Sequence, residues 1–380
     1  MESLYVRNTK AGKVRIVPRS DSQRRQPGAG RRQSVSSLHL NSAGAWEGPS
    51  GPSRAKRSVS ANALQTAYAL FGGVLQSEIL LPALTVVDSD RADWVAHVVS
   101  RPVGQVTELL GEERVDDRIK VRSSKLVGGF RLEFDDTGIF DITDDGATIT
   151  WCPAPEARSE AARADLLGGV FSVALQLQGV LCLHGSGVSI HDKAVGFLAP
   201  KGSGKSTLAL ALTEAGSRLI TDEMLAVHPG PPAMAWPSAP TVHLLEDSAQ
   251  RLNHLDSDER NPSRGKYRVT NLRADQVATQ RAPLAAIYEL RPRAPKPDEP
   301  AVQRTRLAET AAVMTLLRHL KIGESVARLE RMATFDRSAR VARHVPVYQL
   351  EFTHEFDRLP QVLEQVMAWH AGEETSPDAA

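Results

Sequence analysis

One short string constrains this chain more than any other. Residues 194–198 form an apolar run, and Ala199-Pro200-Lys201-Gly202-Ser203-Gly204-Lys205-Ser206-Thr207 follows directly. Residues 206–215 then show the spacing of a helix. Strand, glycine-rich turn and helix in that order form the Walker A arrangement, with Ala199 standing where the first glycine is expected. Gly202 and Gly204 remove Cβ atoms where a backbone must wrap a phosphate, and the free N–H groups at the helix start complete an anion cradle. The predicted nucleotide contacts are therefore Gly202, Ser203, Gly204, Lys205, Ser206 and Thr207. Lys205 places a charge on the β- and γ-phosphates, and the Ser206 hydroxyl is a ligand for Mg²⁺.

A second string supplies acid. Leu219-Ile220-Thr221-Asp222-Glu223 reads as a short strand that delivers two adjacent carboxylates, beginning 17 residues beyond Lys205. Mg²⁺ takes one or two carboxylates together with phosphate oxygens and water, so Asp222 and Glu223 are candidate metal ligands beside Ser206. Open α/β sheets place their ligands at the carboxyl ends of strands, where this pair would lie. His184, in Leu181-Cys182-Leu183-His184-Gly185-Ser186-Gly187, closes the preceding strand and is a candidate to tune one of the acids. Gly185-Ser186-Gly187 lacks the spacing of a nucleophile elbow, so Ser186 is not read as a hydrolase nucleophile.

The rest of the chain frames this core. Residues 1–60 hold 12 Lys/Arg and 3 Asp/Glu, a net of +9, and the remaining 320 hold 34 and 42, a net of −8, which together give the +1 of the whole. The front is also rich in Ser, Gly and Pro, and the expectation is a disordered basic tail over 1–62. Its acidic remainder argues against nucleic acid as a partner. Residues 63–155 read as a β-rich N-terminal lobe. In it, Asp135-Asp136-Thr137-Gly138 and Asp144-Asp145-Gly146 punctuate alternating apolar runs. Residues 156–372 read as an α/β catalytic domain, with strands over 180–183, 194–198, 218–221, 283–290 and 345–352 and helices over 160–178, 309–320 and 359–370; residues 373–380 read as a frayed tail. Two cysteines exclude a disulfide scaffold or a zinc cluster. No secretory leader stands at the front, and the stretch 166–183 is broken by glycines and glutamines, so a cytoplasmic protein without membrane contact is expected.

His184-Gly185-Ser186, Gly196-Phe197-Leu198, the glycine loop and Leu219-Ile220-Thr221-Asp222-Glu223 together resemble the catalytic domain of HPr kinase/phosphorylase, whose fold is similar to the nucleotide core of phosphoenolpyruvate carboxykinase. The likeness is densest over 180–225 and looser over 160–350, through Arg264-Gly265-Lys266-Tyr267-Arg268 and Arg343-His344-Val345-Pro346-Val347-Tyr348. Phe71-Gly72-Gly73-Val74-Leu75-Gln76-Ser77-Glu78-Ile79 is similar to a wider group of HPr-kinase-like proteins that includes kinases of lasso-peptide precursors. The resemblance implies that Asp222 takes the proton of an acceptor hydroxyl, oriented by His184, and that Glu223, in place of a second Asp, ligates Mg²⁺. It also implies a tendency towards homo-oligomers. The Gly-Arg-Asn signature of true HPr kinases is absent, so the resemblance leaves HPr as substrate and the phosphorylase reaction open.

The expected activity is transfer of the γ-phosphoryl group of ATP, with Mg²⁺, to a serine-type hydroxyl of a protein or peptide, for which a peptide natural-product precursor is one candidate. Lys205, Asp222 and His184 are the expected catalytic residues. A small-molecule kinase and a nucleotide-gated regulator without transfer are the two alternatives. Two further features are open at this stage. Lys266, Arg268 and Arg264 could hold phosphate or an acidic peptide, or form a solvated loop, and Trp236 could wall a pocket or plug the Pro-rich segment 229–240.

Overall fold

The computed structural model describes residues 4–8, 14–18, 65–114, 120–252, 254, 260–261, 266–295, 299–321 and 331–371. Of the tail expected over 1–62 these include only an antiparallel ribbon, Leu4–Asn8 with Val14–Pro18. The expected tail over 373–380 and Arg264 lie outside them. The described chain is mixed α/β, built on two large sheets.

The first sheet has eight strands and contains the expected meander. Gly129–Phe134, Gly138–Thr143 and Thr148–Pro153 run antiparallel, joined by the Asp-rich turns. Alternation in the sequence becomes alternation in burial: Phe130, Leu132 and Phe134 are all buried. A hairpin, Thr66–Leu70 with Gly73–Ser77, extends the sheet through Trp94–Val98. Its turn carries Phe71 and Gly72 at φ 52° and 66°, the left-handed pair that a two-residue hairpin loop demands. Phe71 is fully buried and meets Trp94 and Phe171 with ring centroids 6.1 and 5.5 Å away. Phe171 belongs to a helical stretch of Ser159–Asp165, a π-turn Leu166–Val170 and Phe171–Leu177, which fills most of the span expected to be one helix.

The same sheet holds a buried ion pair. Arg131 Nε donates to Asp141 Oδ1 at 2.6 Å, while the N–H groups of Val103 and Gly104 donate to Oδ2 at 3.0 and 2.8 Å. The two side chains are 12% and 8% exposed. Asp141→Ala strips a buried guanidinium and two backbone donors of their acceptor. A loss of about 3–5 kcal/mol in unfolding free energy is expected from denaturant titration, and a loss under 1 kcal/mol would show that water replaces the carboxylate.

The second sheet has nine strands. Lys193–Leu198 lies inside it, parallel to Ala282–Arg293, which is parallel in turn to Val347–Thr353. On the other side comes Gly185–Ile190, antiparallel to Lys193–Leu198 and also to the edge strand Arg218–Thr221. The sequence reading did not place a strand at Gly185–Ile190, because Gly185-Ser186-Gly187-Val188-Ser189-Ile190 has the composition of a loop. All six residues are nevertheless buried. Small residues are needed there: a Cβ on Gly187 or on its cross-strand partner Gly196 would stand 3.2 or 2.5 Å from the Leu225 side chain. One apolar core crosses between the two sheets, joining Phe71, Trp94 and Phe171 to Cys182, Ala226 and Trp236. Trp236 is buried under the Arg281 guanidinium, 3.8 Å from its ring centre, and stacks on His228, so it plugs the Pro-rich segment.

At the C-terminal end, Tyr288 stacks on Tyr348 and Trp369, and its hydroxyl lies 2.9 Å from His370 Nε2. Burial, with Arg304 adding repulsion, holds His370 down to about 4. The unfolded chain therefore binds a proton below pH 6.5 that the folded chain refuses until about pH 4. Stability from this group is complete above pH 6.5 and falls as pH drops towards 4. His370→Gln should flatten that part of a melting-temperature profile, and an unchanged slope would remove His370 from the account.

Candidate functional site

The loop between Lys193–Leu198 and the helix Lys205–Glu214 turns on two left-handed glycines, Gly202 and Gly204, at φ 86° and 87°. Any side chain would be strained in those conformations. A Cβ on Gly202 would meet nothing within 4 Å, so the loop backbone faces open space there. Lys205 folds back under the loop. Its Nζ donates to the carbonyls of Ala199 and Pro200 at 2.7 and 3.2 Å. Burial lowers its proton affinity, and the nearby Asp222 and Glu223 charges oppose that.

Asp222 and Glu223 follow the edge strand Arg218–Thr221, and the backbone sends them apart. Glu223 has φ 80°, a left-handed conformation rare for a long side chain and found where a site fixes direction. Asp222 points to the loop. Its Oδ1 accepts hydrogen bonds from Ser206 Oγ at 2.9 Å and Ser186 Oγ at 2.5 Å, and its Oδ2 accepts from the His243 backbone N–H at 2.9 Å. Its side chain is 2% exposed. Glu223 turns to a different set of partners. Lys266 Nζ donates to Oε1 at 3.0 Å, Lys321 Nζ to Oε2 at 3.3 Å, and His184 Nδ1 stands 3.8 Å from Oε2. Burial works against the Glu223 charge, but Lys321 and Lys266 outweigh it and hold the carboxyl well below the usual range. Burial, helped by Lys321 and Lys205, holds His184 down to about 4, so it is uncharged at neutral pH.

All the expected loop residues and both acids thus meet at one sheet edge, with His184 beside them. The expected pairing within the group differs. His184 contacts Glu223 rather than Asp222, because the left-handed turn at Glu223 carries its carboxylate towards the strand Leu181–Leu183 and away from Ser206. That short strand pairs with Leu225–His228, and it is Gly185–Ile190 that neighbours the loop strand.

Lys321 was not found by sequence reasoning. It arrives because the chain after helix Glu309–Arg318 lies along 182–184: the His184 N–H donates to the His319 carbonyl at 2.6 Å, and the Lys321 N–H to the Cys182 carbonyl at 2.9 Å. Nothing in a helix-ending His-Leu-Lys signals a site 98 residues from its partner. Of the two basic residues Lys266 and Arg268, Lys266 joins the site, whereas Arg268 pairs with Glu160 at 3.4 Å.

A cleft of about 690 Å³ runs along this edge and has two chemically different ends. His184, Asp222, Glu223, His243 and Lys266 line one end. Phe352, His354, Phe356 and Arg251 line the other, beside the glycine loop. Strand Val242–Leu245, paired with Lys266–Val269, links the two: His243 N–H holds Asp222, and the following helix Glu246–Arg251 brings Ser248 Oγ to Thr207 Oγ1 at 2.9 Å. Asp222, Glu223 and His243 also offer ligand atoms within 4.8 Å of one another. Ser206 and Asp222 present hard oxygen donors side by side, a donor set that fits Mg²⁺ better than a softer metal.

No family model and no curated protein sequence matches the chain. Among solved structures, the Hpr(Ser) kinase/phosphatase from Coxiella burnetii is similar at a TM-score of 0.28 and 14% identity, over 50% of this chain and 90% of that one. A likeness at that score does not decide fold or site, which rest on the contacts above. Among the described residues, no helix is long and apolar enough to cross a membrane.

Proposed function

We propose that this chain is an ATP-dependent phosphotransferase that moves the γ-phosphoryl group to a hydroxyl of a protein or peptide. The observation that carries the reading is the 2.9 Å bond from Ser206 Oγ to Asp222 Oδ1 at the start of the helix whose Lys205 is buried beneath a left-handed glycine turn. A hydroxyl, a carboxylate, a lysine and free helix N–H groups converge there on the space a triphosphate needs. Phosphoryl transfer asks the protein mainly for position and charge neutralisation, which these groups provide.

In this reading Lys205 leaves the carbonyls of Ala199 and Pro200 for phosphate oxygens, and the Gly202–Gly204 backbone cradles them. Ser206 and Asp222 would hold Mg²⁺, whose chemistry is to neutralise charge on the phosphates. Ser186 and the His243 N–H fix the orientation of Asp222. Glu223, beside uncharged His184, faces the acceptor and orients its hydroxyl. The acceptor oxygen forms the new bond to phosphorus, the bond to the bridging oxygen breaks, and ADP leaves. The hydroxyl proton passes towards Glu223. This division of the acids reverses the roles implied by the HPr-kinase resemblance. It is supported by the contacts of each carboxylate.

The test incubates the purified chain with Mg²⁺ and ATP labelled at the γ position, in separate arms with serine-containing peptides and with small alcohols, and follows the label. Transfer to peptide supports the reading. Label confined to small alcohols favours a small-molecule kinase, nucleotide binding without transfer favours a regulator, and no binding of Mg·ATP rejects the site.

A further inference from the structure

The aromatic end of the cleft is given no role by the phosphate chemistry. Phe352 and His354 stand against the glycine loop: a Cβ on Gly204 would lie 3.7 Å from Phe352 Cζ and 3.6 Å from His354 Nε2. Their rings meet edge to face, with centroids 5.9 Å apart. Beyond them the Arg251 guanidinium lies 5.6 Å from the centre of the Phe356 ring. Asp247, Glu355 and Asp357 also line this end. Such a rim repels a phosphate chain, while its carboxylates accept hydrogen bonds from neutral N–H and O–H donors.

From these contacts we infer a nucleobase subsite: a purine stacks on Phe356, in the layer that the Arg251 guanidinium shares, with its sugar directed past His354 to the glycine loop. The inference rests on the reading of the loop as a triphosphate site and adds where the base goes. Flat π-faces and guanidinium planes are the surfaces on which bases stack, and the acid rim matches the exocyclic amino group and the ribose hydroxyls. It follows that the acceptor enters from the opposite end, past Lys266 and Glu223.

The test compares Mg·ATP with Mg·tripolyphosphate by calorimetry on the full chain, for the wild type, Phe356→Ala and Phe356→Trp. Loss of one stacking partner should weaken ATP about 5- to 150-fold in Phe356→Ala. Tripolyphosphate, which has no base, should bind unchanged, and Phe356→Trp should keep the ATP affinity. If Phe356→Ala does not fold, quenching of Phe356→Trp fluorescence by ATP and not by tripolyphosphate answers the same question. ATP binding equal in wild type and Phe356→Ala, or wild-type ATP affinity no higher than that for tripolyphosphate, overturns the subsite. Failure of the wild type to bind either compound instead rejects the triphosphate reading beneath it.

Discussion

Lys205→Ala should abolish phosphoryl transfer, by at least about a thousandfold, corresponding to about 4 kcal/mol of lost transition-state stabilisation. Lys205 is 8% exposed and its ammonium is held by two loop carbonyls, which it exchanges for phosphate oxygens in the proposed reaction. Its removal leaves the loop backbone intact but takes away a cation buried beneath the glycine turn. Stability should change little, because the two carbonyl hydrogen bonds that are lost offset the relief of no longer burying a charge. The measurement is the rate of label transfer set beside a thermal melt. A variant that melts normally and transfers phosphate at the wild-type rate would remove Lys205 from the chemistry.

Asp222→Asn and Glu223→Gln should fail in different ways, although the two residues are neighbours in sequence. Asp222 accepts three hydrogen bonds and is bonded to Ser206, so Asp222→Asn should weaken Mg·ATP binding and lower transfer by roughly a thousandfold. Glu223 is turned away towards His184, Lys266 and Lys321. Glu223→Gln should leave Mg·ATP affinity near wild type and lower transfer about a hundredfold or more, in the range of a lost proton acceptor. The readout is the Mg²⁺ dependence of ATP binding measured separately from turnover. The reverse pattern, with Glu223→Gln losing the metal and Asp222→Asn keeping it, would restore the roles implied by the family resemblance.

What could be read from the sequence follows the physics of each element. The loop and its helix were legible because glycine spacing, lysine and an apolar strand reinforce one another locally. The edge strand was placed over 218–221, where it is found. Gly185–Ile190 was not legible, since Gly187 is small to make room for Leu225 and Gly185 for Leu198, facts that exist only once the sheet is assembled. The helix Arg331–His344 was missed for a different reason: it is rich in arginine and buries little beyond Thr334, Arg337, Ser338 and Val341. Which carboxylate faces which partner depends on one torsion at Glu223, and no spacing rule encodes a torsion. Lys321 and the His243 N–H reach the site through pairings far along the chain, Lys321 beside Cys182 and strand Val242–Leu245 beside Lys266–Val269.

The strand running backwards through the site has a consequence for room. It puts Lys193–Leu198 and Arg218–Thr221 two strand spacings apart, about 9.6 Å, instead of one. Backbone neighbours could not leave such a berth between them. Ser206 spans it from the first turn of a helix laid over the intervening strand, and Ser186 forms its floor. The width of that spacer, set by residues as plain as glycine and serine, fixes how large an object the edge can seat.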